Sequence, residues 1–326
     1  MFHTSSQRKH WMFRNEEEII KLRRENVTMY ADKHGDSMQV EDRPLYFLTY
    51  DEERLLCRHY EHLVRDFCRK FDPPMPPSVL GTSCAYFKRF YIHNTAMDYH
   101  PKWIMYTCIY LACKVEEFNV SIMQFVGNLP NNREKATELI LNHELLIMQH
   151  LNFNLTVHNP FRPLEGFLID IKTRVLHIAD TEVLRKKAEE FIYRSLATDA
   201  CLLFAPSQIA LAAVLHSASK KGVNLDKYVT DSLVGKGNSD TLKQMVEQLK
   251  KVRFMVKHIE PLNPTKIQEL EEKLQKCRNQ ELDPESQIYK KKLEEKLLAE
   301  EEETYIKRQL LSEETKRSED QFLMSV

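Results

Sequence analysis

Glycine is scarce in this chain. There are 7 glycines in 326 residues, about 2% against a usual share of about 7%. Together with long amphipathic runs, that scarcity argues for an all-α protein. No GxGxxG, phosphate-binding loop, GxSxG or HExxH occurs, so no catalytic signature or cofactor site is expected. The seven cysteines, Cys57, Cys68, Cys84, Cys108, Cys113, Cys201 and Cys277, form no CxxC pair. An odd count without a secretory signal reads as free thiols in a reducing compartment. There is no charge excess either: the net charge is −1 and the pI near 6.9, which gives no bulk field favouring nucleic acid or membrane. The N-terminus lacks an apolar leader, and no segment has the roughly 20 apolar residues that span a bilayer.

What is there centres on PKWIMYTCIYLACKVEE, residues 101–117. Trp103 to Cys113 carries no charge and no strict alternation, and Pro101 suits a first helical turn. A helix apolar all round is a buried one. Around it lie helical runs at about 51–71 and 78–93, a short one at 119–129, and a long one to about 153 capped by Asn131 and Glu134. The Pro-rich DPPMPP, 72–77, separates the first two. A second set follows at about 160–175, 181–201, 206–221, 225–234 and 239–259. PKWIMYTCI (101–109) aligns with PSQIALAAV (206–214) at an offset of 105. The spacing predicts two five-helix units, each centred on an apolar helix.

The flanks differ. Asn15 with Glu18 is a capping-box pattern opening a lone helix to about residue 30. Its stripe, Ile19, Leu22 and Asn26 with Ile20 and Val27, is narrow, so this helix must dock on the repeats or on a partner. Helix 264–282 is charged, Asp283-Pro284 interrupts the chain, and the Glu/Lys-rich stretch from 285 has too few apolar residues for a heptad seam. The divisions expected are 1–49, helix and linker; 50–157 and 158–260, the two repeats; and 261–326, charged helix and tail.

Candidate chemistry is thin. His59 and His62 share a helix face, but two ligands do not make a metal site, and an exposed surface is the simpler reading. Cys108 and Cys113 read as small core residues. Two charges stand out. On a wheel of 132–152, Glu144 falls within an apolar arc of Ile140, Ile147, Met148 and Leu151, and Lys114 ends the uncharged run. Charges in such surroundings need partners. Either they pair with each other, or they rim an apolar patch and bond a partner's backbone.

LACKVEE (111–117), followed by Glu144 in HELLIMQHLNF (143–153), resembles the cyclin box. HWMF (10–13), YFKRFYIHN (86–94), EEFNVS (116–121), QFVGNL (124–129), LNFNLTVHNPFRPLEGFLIDIKTR (151–174) and PSQIAL (206–211) extend the likeness to about residue 260. The resemblance implies two cyclin-box repeats with flanking helices, and no catalytic activity of the chain itself. It implies that Lys114 and Glu144, with Glu117, Phe118, Ile140, Ile147 and Met148, bind a cyclin-dependent kinase. Trp11, Phe13, Ile19 and Leu22 would belong to an N-terminal segment that supports activation. The branch most resembled serves the kinase that activates other cyclin-dependent kinases, within general transcription factor IIH. That implies phosphorylation of the RNA polymerase II tail, an assembly-factor subunit as a further partner, a nuclear location, and no direct contact with nucleic acid or membrane. RLLCRHYEHLV (54–64) lacks the MRAIL-type substrate-docking pattern, so no such groove is expected. The rival readings are a nucleic-acid-binding factor of the transcription factor IIB type, which would want a basic face and a zinc ribbon, and a purely structural scaffold.

Overall fold

The computed structural model describes residues 2–36, 38–130, 132–175, 180–235 and 239–324, with side chains to residue 309. Every regular element among them is helical. Two compact units result, Met1–Cys277 and Arg278–Val326.

In the first unit, α1 (Glu16–His34) precedes a five-helix repeat of α2 (Tyr50–Lys70), α3 (Pro77–His93), α4 (Pro101–Val115), α5 (Ile122–Gly127) and α6 (Arg133–His150). The second repeat has α7 (Phe161–Arg174), α8 (Glu182–Ser195) and α9 (Pro206–Lys221). A π-helical turn at Tyr228–Val234 and α10 (Ser239–Lys257) complete it. Helix α11 (Pro264–Cys277) closes the unit.

The starts follow local chemistry. Proline opens α3, α4 and α9, where its missing N–H costs nothing. Thr49 and Glu52 cap α2 reciprocally. At α1, Asn15 Oδ1 accepts the Glu18 amide, while the Glu18 carboxylate takes the Arg14 amide one residue outside the usual box. The Asn131 cap expected for α6 lies outside the described residues; Asn132 caps that helix, accepting the Glu134 amide at 3.1 Å. Gly222, at φ +69°, ends α9 where the left-handed turn favours glycine.

Between Trp103 and Cys113 only Tyr106 escapes full burial, so α4 is the buried helix its composition demands. Helix α3 is wrapped more completely still: Val79 through Ile92 are all buried, Lys88 and Arg89 included. Its extra cover comes from α1 and from the link between the repeats. Tyr86 donates to the Leu155 carbonyl at 2.5 Å, and Asn159 donates to Ser78 O and Thr82 Oγ1. A Cβ on Gly81 would stand 2.2 Å from Asn159 Oδ1, so only glycine lets the link lie this close.

The apolar cores of the two repeats form two clusters, joined where Leu196 of the second repeat enters the first cluster and Phe161 packs on both. A third, small cluster sits where they meet: Ile19 of α1, Ile92 of α3 and Leu202 of the second repeat. Beside it lies a buried ionic cluster. Arg23 grips Asp199 at 2.6 and 3.1 Å, Arg54 reaches Asp199 at 3.4 Å and Glu61 at 2.9 Å, and Lys88 lies 2.5 Å from Glu61. Helix α11 docks on α2 through Ile267, Leu270, Leu274 and Cys277. It ends at Cys277, short of the 282 expected. Tyr60 donates to Glu271 and Lys273 to Glu52, both at 2.7 Å. In the second unit, α12 (Gln287–Met324) is one continuous helix. Its described apolar residues, such as Leu297 and Ile306, are exposed.

Glu53 of α2 is buried and accepts hydrogen bonds from the Thr95 hydroxyl and the Ala96 amide, pinning the turn after α3. Burial pushes its pKa up to about 7, against those two hydrogen bonds. The folded chain therefore holds this proton where the unfolded chain, near 4.5, has lost it. Stability from Glu53 is full below about 4.5 and is lost as pH rises through 7, by at most about 3–4 kcal/mol. Glu53→Gln, which keeps the shape of the neutral acid, should abolish that fall. Melting temperatures of both proteins at pH 5 and pH 8 would show the gap between them widening in favour of the variant. A constant gap would refute the assignment.

Candidate functional site

Lys114 stands in the last turn of α4, where a cation suits the helix dipole. Its Nζ bonds both carboxylate oxygens of Glu144 on α6, at 2.6 and 2.8 Å, and lies 4.7 Å from the centre of the Tyr110 ring. The Lys114 side chain is 46% exposed and that of Glu144 15%. In the free chain, then, the two charges pair with each other, at the surface.

Both helices end in strained turns. Glu117 lies at φ +57°, with its amide bonded to Lys114 O and the Phe118 amide to Cys113 O. This is a Schellman ending with glutamate where glycine is usual. After α6, Asn152 and Phe153 lie at φ +49° and +55°. A left-handed backbone costs an L-residue roughly 1–2 kcal/mol, and such residues gather at ligand clamps and switches. The turns leave Glu117 exposed, Phe118 half-buried and Phe153 62% exposed.

The predicted apolar patch needs correction. Ile140 and Ile147 are fully buried and belong to the core of the first repeat, so they hold α6 in place and offer no surface. Met148 is half-buried. The apolar residues that α6 shows to solvent are Leu141, 44% exposed, and Leu145, 54% exposed. They are four residues apart, hence on one face, flanking Glu144. The wheel could have flagged them, but leucine beside isoleucine reads as core when the burial direction is unknown.

The N-terminal candidates are spread across the junction of the repeats. Trp11 is buried with its ring 5.3 Å from the Arg89 guanidinium. Ile19 is fully buried, Phe13 and Leu22 are half-buried against it, and the Phe13 amide bonds Leu202 O at 2.9 Å. The lone helix thus docks on both repeats of its own chain. Composition gave no sign of Arg23, Arg54, Glu61, Lys88 and Asp199, because charged residues recur throughout the chain.

His59 and His62 are half-buried, and burial lowers both pKa values. No group of three or more potential metal ligands occurs among the described residues. Cys108 and Cys113 are core residues, and burial raises both thiols. No helix among the described residues is long and apolar enough to cross a membrane.

The division between core and surface on α6 can be tested directly. Ile147→Ala should cost about 2–5 kcal/mol, whereas Leu145→Ala should stay within about 0.5 kcal/mol. Chemical denaturation of the two variants checks this, and equal losses would place Leu145 in the core.

Comparison with known proteins gives a consistent result. Residues 61–156 match the model of the cyclin N-terminal domain, and residues 159–257 that of the cyclin C-terminal domain. Cyclin-H of Xenopus laevis is 46% identical over 285 residues, 86% of this chain and 88% of its own length. A probable cyclin-H of Echinococcus multilocularis is 33% identical, over 74% of this chain and 79% of its own. Among solved structures, a chain of the CAK complex from Chaetomium thermophilum bound to ATP-gamma-S superimposes with a TM-score of 0.75. It is 26% identical and covers 91% of this chain and 94% of its own length.

Proposed function

This chain belongs to the cyclin family, in the group of the cyclin-H proteins, and we propose that it is the non-catalytic subunit that binds and activates a cyclin-dependent kinase. The complex is a CDK-activating kinase with an assembly-factor subunit, and it works within general transcription factor IIH. It phosphorylates other cyclin-dependent kinases and the RNA polymerase II tail, in the nucleus.

The observation that carries the reading is the Lys114–Glu144 pair at the edge of the exposed Leu141–Leu145 strip. A kinase needs the glutamate of its αC helix beside its β3 lysine to hold ATP phosphates productively. Leu141, Leu145 and Met148 bury against the apolar face of that helix. Lys114 and Glu144 then exchange part of their mutual bond for charge-assisted bonds to kinase backbone groups, which sets the register. Only the active placement of αC makes these contacts, so binding shifts the kinase toward it. Glu117 and Phe118, held outward by the strained turn after α4, border the same face.

Because the pair is solvent-exposed on the lysine side, it adds at most about 1 kcal/mol to the free chain's stability. Lys114→Ala and Glu144→Ala should therefore leave helix content and melting almost unchanged. Loss of one buried, charge-assisted partner at an interface costs about 2–5 kcal/mol in binding. Calorimetric titration of each variant with the kinase, alongside turnover, checks the proposal. Wild-type affinity in both variants would remove these residues from the interface.

A further inference from the structure

The two repeats meet through apolar contacts, where Leu196, Phe161 and Tyr193 of the second repeat pack on the core of the first, and also through polar groups and the N-terminal segment. A further small apolar cluster at the junction takes Ile19 from α1, Ile92 from the first repeat and Leu202 from the second. The N-terminal segment bonds the link and the second repeat directly: the His158 amide donates to Gln7 Oε1 at 2.7 Å, and the Phe13 amide to Leu202 O at 2.9 Å. At the centre is Asp199, in the turn between α8 and the short helix Ala200–Leu203.

Asp199 is 7% exposed and faces cations from three places: Arg23 of α1, Arg54 of α2 and Lys88 of α3. Arg23 binds it through two nitrogens, the planar fork that matches a carboxylate. Glu61 balances the cluster from the first-repeat side. A small cavity lined by Arg23, Glu53, Arg54, Glu61 and Lys88 lies against it. The first repeat thus presents two cations to an anion of the second, and α1 adds the third.

We propose that this cluster is a latch that fixes the angle between the two repeats, and that α1 holds it shut through Arg23. The second repeat supplies only Asp199, so the cluster loses its attraction across the junction when that one charge goes. Removing Arg23 cuts the ionic hold of α1 on the second repeat, leaving the Ile19–Leu202 contact, while Arg54 and Lys88 stay on Asp199, a partial release. Neither change touches the core of either repeat. The latch is the part of the junction that can open while both repeats remain folded.

The test measures the angle in the full chain. Spin labels are placed on cysteines introduced at Met123→Cys in α5 and Ile169→Cys in α7, both exposed positions, one in each repeat. All seven native thiols have pKa values raised by burial and react slowly by comparison. Pulsed electron resonance should give one narrow distance for the otherwise unaltered chain. Arg23→Met should broaden it, and Asp199→Asn should spread it into several distances, with helix content by circular dichroism unchanged in Arg23→Met. If Asp199→Asn fails to fold, Arg23→Met alone decides. A distribution as narrow in Arg23→Met as in the parent overturns the latch.

Discussion

A charge buried away from water must meet its opposite, and that requirement organises the junction of this molecule. Burial works against the Asp199 carboxylate, yet Arg23, Arg54 and Lys88 together hold its pKa well below the usual carboxylate range. It stays ionised, and the cations stay with it. Such a cluster adds little net stability compared with a well-packed apolar contact, but breaking one partner away is expensive. It therefore specifies geometry more than it strengthens it. Three pieces of chain far apart in sequence, near residues 23, 54–88 and 199, can satisfy these charges in one arrangement.

The Lys114–Glu144 side follows the opposite logic. There the charges are left partly in water, paired by default and available for exchange. Ile140 and Ile147 on the inner side of α6 fix the helix against the core. That rigidity lets Leu141, Glu144 and Leu145 face outward in a fixed pattern. The strained turns after α4 and α6 sit at the margins of this surface. The Phe153 amide closes the end of α6 on Met148 O at 2.9 Å, and that turn leaves its ring exposed.

The N-terminal segment links the two sides. Its helix is well capped but too narrow in apolar stripe to stand alone, and it gains stability by spanning the repeats. Trp11 on Arg89 ties the segment to the first repeat, Arg23 on Asp199 to the second, and Ile19 to both through Ile92 and Leu202. The same residues that make the segment stable therefore tie the repeats together.

The all-α class, the two five-helix repeats and the burial of Trp103–Cys113 were legible from local order: spacing of apolar residues, prolines at N1 and capping pairs act over a few residues and leave their pattern in the chain. Lys114 and Glu144 were legible as two charges out of place, each being an exception in apolar surroundings, but only the tertiary structure decided that they pair with each other. Which way α6 faces was not. Ile140, Leu141, Leu145 and Ile147 are equally apolar, and only packing against α4 decides that the isoleucines go in and the leucines out. Nor was the ionic cluster legible, since Arg23, Arg54, Lys88 and Asp199 look like any other surface charge until the chain folds back on itself. Burial is a property of the whole fold, and a charge acquires its meaning from the partner that tertiary structure brings to it.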